Sequence, residues 1–225
     1  MKTRTLFSII LAIIVVFLAI FASRSILRPE KYKTIYEARK TANVNNLLTI
    51  RSAQTVYKTV FKKYASDIDS LADFVQNGTV EVEKTIGHFA DTISQEEAFK
   101  LGLIHKEIVK IPAIEKIMEL DANLTQESFK NFQYIPFSDK KKYQIQTGEI
   151  ASKTYTIPVY KIDVPLDDIL INMDRSISPE NCGAFKKLFN KIFFNKLSEE
   201  EQYKSQYKDM YMGSLTEAST AGSWE

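Results

Sequence analysis

The chain has 225 residues, 44% of them hydrophobic, with 30 basic and 28 acidic groups and a net charge of +2. With 14 Phe and 11 Tyr it is too aromatic for a disordered chain, and its single cysteine, Cys182, excludes a disulfide scaffold. The balanced charge, with no dense basic arm, weighs against a nucleic-acid binder, so no nucleic-acid partner is expected.

The strongest signal is at the front. Lys2 and Arg4 precede a charge-free run from Leu6 to Ala22. As a helix this run is about 26 Å long, close to the thickness of a bilayer's hydrocarbon core. Ser8 is its one polar residue and can bond back to a helical carbonyl. A cleaved signal peptide has a shorter apolar core and small residues at the cut. Here the best cut, after Ala22, has Ile20 at the third position before it. The run therefore reads as an uncleaved signal anchor, and the membrane is an expected partner. Arg24, Arg28, Lys31 and Lys33 follow the run and, by short-loop counting, favour a cytoplasmic carboxyl side. Long domains translocate largely regardless of charge, however, and a short N-terminal tail stays inside. The expected location is the inner membrane, single-pass, with the bulk of the chain periplasmic.

Pro29 marks the end of the juxtamembrane stretch, which makes residues 1–28 the anchor and its flank. Residues 29–64 read as a stem helix, free of Gly and Pro after Pro29. One stripe holds Ile35, Ala38, Ala42, Thr49, Val56 and Val60; a second holds Leu47, Ile50, Tyr57, Phe61 and Tyr64. Residues 65–182 read as an α+β globular domain. Asp67 or Asp69 caps a short helix ending at Gly78, with Leu71, Phe74 and Val75 inward. Thr79 to Ile86 alternates as a strand. Ser94 and Glu97 form a capping box for a helix ending at Gly102. Leu103 to Ile111 is a second strand, broken by Pro112, and Asp121 to Phe132 is loop and turn. Tyr143–Thr147 and Thr154–Val164 read as a hairpin around Gly148, with Pro158 placing part of the second run at an edge. Pro165 to Leu170 reads as one helical turn.

Residues 183–225 read as a helical tail with a polar C-terminus. Ala184 to Leu197 puts Phe185, Leu188, Phe189, Ile192 and Phe193 on one face. Phe185, Phe189 and Phe193, with Lys186, Lys187 and Lys191, are a candidate membrane-surface patch; the alternative is a face that covers the sheet. Ser198 and Glu201 form another capping box before a helix carrying Tyr203, Tyr207 and Tyr211. Trp224 either anchors the end in a groove or belongs to a frayed terminus.

No catalytic machinery is visible. There is no G-x-S-x-G elbow, no phosphate loop and no H-E-x-x-H. His88 and His105 are well apart in sequence, and no metal or cofactor is expected. Cys182 has no base beside it in sequence and reads as a structural residue. Acidic groups such as Asp167 and Asp168 read as solvated surface. The chain is expected not to be an enzyme.

The segment Ile50–Val75, IRSAQTVYKTVFKKYASDIDSLADFV, resembles the outer half of the first helix of type IV pilin-like and pseudopilin proteins. Ala53, Gln54, Tyr57, Tyr64 and Leu71 carry the resemblance. The N-terminus departs from that family: it lacks the Gly-Phe-Thr-x-x-Glu processing site, and the first glutamate is Glu30. The wider chain resembles single-span Bacteroidota envelope proteins. That likeness rests on the IR-x-AQ-x-x-Y core, Tyr134-Ile-Pro-Phe137, Ile157-Pro-Val-Tyr160 and the ending Gly213-Ser-Leu-x-Glu217 to Gly222-x-Trp-Glu225. The resemblance implies an envelope location and an α+β fold in which a membrane helix continues into a stem packed on a small antiparallel sheet, with C-terminal helices. Partners are then other envelope proteins or a second copy, met through the stem at Thr49, Ala53, Val56 and Val60, unless these residues only pack on the chain's own sheet. The competing expectation is a periplasmic module for glycan, peptide or cell-wall material, with Tyr134, Phe137, Tyr143 and Tyr160 as its aromatic surface and the small-molecule ligand unknown.

Overall fold

A computed structural model describes residues 2–88, 94–151, 155–171 and 207–225. The protein is α+β, and the described residues form helices and two small antiparallel sheets. Helix α1, Lys2–Phe61, is followed by α2 (Ile68–Asn77), β1 (Thr79–Gly87), α3 (Gln95–Lys100), β2 (Ile104–Pro112) and α4 (Ala113–Leu120). A 3-10 turn, Gln126–Phe129, precedes β3 (Ile145–Ala151), β4 (Thr156–Val164), α5 (Leu166–Ile169) and β5 (Met210–Gly213). The chain clusters into two units, each assembled from segments distant in sequence.

The first unit comprises Met1–Asn43, Pro136–Asp139 and Pro165–Asp209. Within α1, Pro29 does not interrupt the helix. It costs one main-chain hydrogen bond in the helical ladder, and the helix runs on. Tyr32 and Tyr36 are buried and meet Tyr207 edge-on, with centroids 5.2 and 4.6 Å apart. The Asp209 carboxylate accepts from the Leu166 N–H at 2.8 Å and so caps the start of α5.

The second unit comprises Val44–Ile135, Lys140–Val164 and Met210–Glu225. Its part of α1 buries Leu47, Ile50, Ala53 and Val56. The helix ends at Phe61, and Lys62 turns the chain with φ 60°, its N–H bonded to the Lys58 carbonyl at 2.9 Å. Gln54 closes the turn. Its amide NH2 donates to the Ala65 carbonyl and its oxygen accepts the Ala65 N–H, both at 2.9 Å and both buried. Asp67 then caps α2, accepting from the N–H groups of Asp69 and Ser70. Leu71, Phe74 and Val75 point inward, and Tyr57 and Phe61 meet Phe74 at 5.1 and 5.7 Å.

Strands β1 and β2 pair antiparallel from Thr79 opposite Pro112 to Gly87 opposite Ile104. The capping box of α3, Ser94 with Glu97, is present. Helix α4 has no counterpart in the sequence reading: Pro112 ends β2 and starts the helix, which buries Ala113 and Ile117. Strand β4 is central in the second sheet, between β3 and β5. Gly148 is not the hairpin turn. It lies in mid-strand opposite Val159, and the reversal falls between Ala151 and Thr156. A Cβ at Gly148 would stand 3.4 Å from Leu215, so the glycine admits a close neighbour, as glycines inside strands often do. Pro158 faces Glu149 of β3, whereas pairing to β5 starts only at Lys161. At Pro158 the strand is therefore an edge on the β5 side.

Tyr211 lies in β5, not in a helix. The chain beyond β5 folds back on it. Met212 bridges Gly222, the Gly213 N–H donates to the Ala221 carbonyl at 2.9 Å, and the Ser223 N–H donates to the Tyr211 carbonyl at 2.8 Å. This segment is ordered strand-like structure rather than a frayed end. Gly213 has φ +78°, and a Cβ there would strike the Tyr160 carbonyl. The expected helices over residues 184–206, with Cys182, fall outside the described residues.

Replacing Gln54 with Leu removes both partners of Ala65 while leaving that residue buried. Each orphaned group costs about 1–3 kcal/mol. Gln54→Leu is expected to lower the denaturation midpoint markedly, and so is Gln54→Glu at neutral pH, because its buried carboxylate cannot donate to the Ala65 carbonyl and carries an unpaired charge. Urea titration followed by tyrosine fluorescence checks this; equal midpoints for wild type and Gln54→Leu contradict the role given to Gln54.

Candidate assembly surfaces

Three surfaces bear on function. The first is the front of α1. From Phe7 to Ile20 every side chain is exposed, on all faces of the helix, and all but Ser8 are apolar. The Ser8 hydroxyl donates to the Arg4 carbonyl at 3.0 Å, and the Ser23 hydroxyl to the Ala19 carbonyl at 2.8 Å. Such a segment presents hydrocarbon in every direction and no unsatisfied polar group from its serines. The described side chains of this run stop short of a full span, and among the described residues no helix is long and apolar enough to cross a membrane.

The second is the stripe expected to meet partners. Thr49, Ala53 and Val56 are 2%, 0% and 3% exposed, while Val60 is 37% exposed. The first three are turned into their own unit and are not open to a partner. Their surroundings explain why: the same part of α1 ties down the rest of the unit. The Asn46 amide donates to the Tyr134 carbonyl at 3.0 Å, the Ser52 hydroxyl to Asp121 at 3.4 Å, and Arg51 pairs with Glu225 at 2.6 Å. The Thr49 hydroxyl bonds back to the Asn45 carbonyl at 3.0 Å. Small residues let other segments approach the helix, and those segments belong to this chain.

The four aromatics expected to line a ligand surface do not share one. Tyr143 and Tyr160 are buried, Tyr134 is half-buried, and Phe137 is exposed. Burial pushes the Tyr143 and Tyr160 hydroxyls well above the ordinary tyrosine pKa, against a smaller opposing effect of a hydrogen bond with Asn46 at Tyr143. The Tyr160 ring lies 4.6 Å from the Tyr64 ring, and its buried hydroxyl has no hydrogen-bond partner among the described residues. In the first unit, Phe137 has φ 63°, and the Arg39 guanidinium stands over its ring at 5.2 Å. Arg39 also donates to the carbonyls of Ile169 and Ile171 at 3.0 and 2.7 Å, and burial lowers its pKa. Arg39 thus fastens the end of α5 and the Phe137 loop to α1.

The third surface, which sequence reasoning left unremarked, is the β1–β2 arm. Most of its residues are exposed on both faces. Charges match across it: Glu81 faces Lys110 and Lys84 faces Glu107 in register, with Glu81–Lys110 at 3.3 Å and Glu83–Lys106 at 3.1 Å. Ile86, Phe99, Leu101, Leu103 and Ile108 are exposed apolar groups along the arm and its α3 end. The register also brings the two histidines to the same end of the arm, with His105 opposite Ile86 and His88 just beyond Gly87. No group of three or more His, Cys, Asp or Glu suited to a metal occurs among the described residues. The basic patch of Phe185, Phe189, Phe193, Lys186, Lys187 and Lys191 lies outside the described residues.

Comparison with protein families, curated proteins and solved structures returns no match.

The buried tyrosines give a pH prediction. A hydroxyl whose folded pKa is raised holds its proton longer in the folded than in the unfolded chain. Its contribution is complete below the unfolded value near 10 and is lost as pH rises beyond it. Tyr143→Phe combined with Tyr160→Phe is expected to flatten the fall of stability above pH 10, measured by denaturation midpoints across alkaline pH. At neutral pH, Tyr160→Phe is expected to be neutral or stabilising, because it removes an unpaired buried hydroxyl. Tyr143→Phe, which loses a bond, is expected to cost about 1 kcal/mol.

Proposed function

We propose that this chain is a non-enzymatic, single-pass membrane protein that serves protein–protein assembly in the cell envelope, as part of a secretion or pilus-like system. Its front helix lies in the inner membrane and most of the chain is periplasmic. The observation that carries the reading is the all-round apolar exposure of Phe7–Ile20 within one unbroken helix. A helix apolar on every face requires lipid or a protein interior, and its backbone bonds are closed within the segment, as hydrocarbon demands. Leu6, Phe21 and Ala22 extend the run in sequence. Lys2 and Arg4 then hold the short tail on the cytoplasmic side, and the long C-terminal part is exported. A role in assembly is supported by the exposed β1–β2 arm. The ligand-module alternative gains nothing from Tyr143 and Tyr160, which are enclosed.

Wild-type protein is expected to stay in the membrane pellet through alkaline carbonate washing and to dissolve only in detergent. A C-terminally fused alkaline phosphatase is expected to be active, since that enzyme folds only outside the cytoplasm. Placing Lys at both Ile13 and Val16 costs about 2.5–3.5 kcal/mol each at a span's centre and is expected to move the protein into the soluble fraction. Release of the wild type by carbonate removes the anchor from the proposal, and an inactive phosphatase fusion reverses the orientation.

A further inference from the structure

The β1–β2 arm is a two-stranded sheet with two outer edges. Among the described residues, the backbone bond beside it outside the ladder is at the base, from the Ala113 N–H to the Gly78 carbonyl. Each strand is nine residues long and open on most of both faces. Long free edges of this kind are templates for another strand, and proteins that avoid pairing blunt them with charged side chains, proline or bulges. Here the charges are arranged as a matched ladder. Along the inner seam Glu81 meets Lys110, Lys84 meets Glu107, Val80 meets Ile111 and Val82 meets Val109.

We propose that a second copy of the chain occupies these edges, with the outer edge of β1 in one copy pairing antiparallel with the outer edge of β2 in the next. The inner ladder uses the backbone groups of alternate residues and leaves those of the intervening residues facing outward. The same register is therefore open on the outer side as well, where it restores the same charge matches. Every cross-strand pair of the inner seam then recurs between copies, with Lys110 flanked by a glutamate on each side and Glu107 by a lysine on each side.

Charge disfavours the full-length symmetric pairings, which the head-to-tail arrangement avoids. A two-fold pairing of β1 with itself about Val82 sets Glu81 opposite Glu83. One about Glu83 sets that glutamate against itself, and one about Lys84 sets two lysines together. A full-length pairing of β2 with itself, centred at Ile108, sets Lys106 opposite Lys110. Like charges directly opposite are destabilising. A head-to-tail contact leaves one edge open at each end and so extends to further copies. The inference deepens the assembly reading above, on which it rests, by naming the partner and the surface.

The test uses the full chain in native membranes, with Cys182→Ser in every variant. One tagged copy carries Glu83→Cys and a differently tagged copy carries Ile108→Cys; these positions face each other in the register, and their side chains are exposed. The expected result is a disulfide joining the two tags, with no disulfide when both copies carry Glu83→Cys. Lys84→Glu with Glu107→Lys in the Glu83→Cys copy alone keeps that arm's own ladder matched but opposes like charges across the contact between copies, and is expected to reduce the mixed disulfide several-fold; the same two changes in both copies are expected to restore it. Equal crosslinking in same-position mixtures overturns the head-to-tail arrangement. A disulfide from either position to a different protein overturns self-association and leaves the assembly reading standing. The absence of any intermolecular disulfide overturns edge pairing, and membrane extraction, scored on the same samples, tells whether the anchor reading has failed too.

Discussion

The turn out of α1 in the second unit is held by one side chain, whose amide bonds both backbone groups of a single residue. Gln54 sits on the inner face of α1 and grips both backbone groups of Ala65, eleven residues on. Without that grip the chain leaving α1 would carry a buried N–H and a buried carbonyl with nothing to satisfy them, because Ala65 is past the end of the helix and outside any sheet. With it, the reversal at Lys62 is fixed and Asp67 arrives where it can cap α2. Tyr64 is set against Tyr160 of β4. One amide thus joins helix, turn and sheet. A hydrophobic residue of the same size would pack and leave the turn unspecified, since burial alone has no direction.

The rest of the unit follows from what α1 has to enclose. Its inner face carries Leu47, Ile50, Ala53 and Val56, interleaved with Thr49, Ser52 and Gln54. The apolar residues supply area and the polar ones supply direction, each bonded to a particular backbone or side-chain group. The chain beyond β5 contributes in the same way at longer range. Gly213 and Gly222 allow close approach, at the Tyr160 carbonyl and at the Trp224 ring respectively. Arg51 and Glu225 close the arrangement with a partly exposed ion pair, which holds position more than it adds stability.

The β1–β2 arm obeys different physics. It has little buried area to lose, and an isolated two-stranded ribbon is marginal in water. Cross-strand charge pairs and β-branched neighbours hold its register instead. Such an arm is inexpensive to form beside a packed unit, and its exposed edges and apolar residues are where a folded chain has interaction capacity left over. The front of α1 is the opposite case. It has apolar surface in every direction, and among the described residues no neighbour covers it.

Much of the local structure was legible in the sequence. The Asp67 cap, the Ser94–Glu97 box, the alternation of Thr79–Ile86, the proline stop at Pro112 and the turn after Pro165 are written in neighbouring residues, because caps, breaks and strand periodicity are local. Gly148 was misread because a glycine permits either a turn or a close approach, and Leu215, far along the chain, decided between them. Tyr211 was misread because helix periodicity in a short polar stretch is weak beside a strand edge waiting to be paired. Helix α4 went unnoticed because eight residues between a proline and an aspartate give too little pattern. The apolar run and the Ala53-Gln54 pair were visible from the start. What only the tertiary structure decided is direction: that Thr49, Ala53 and Val56 face their own unit and not a partner, that Gln54 holds Ala65, and that the charges of β1 and β2 match in register. Sequence fixes which residues recur on a face, but which face is covered depends on segments that meet only when the chain has folded.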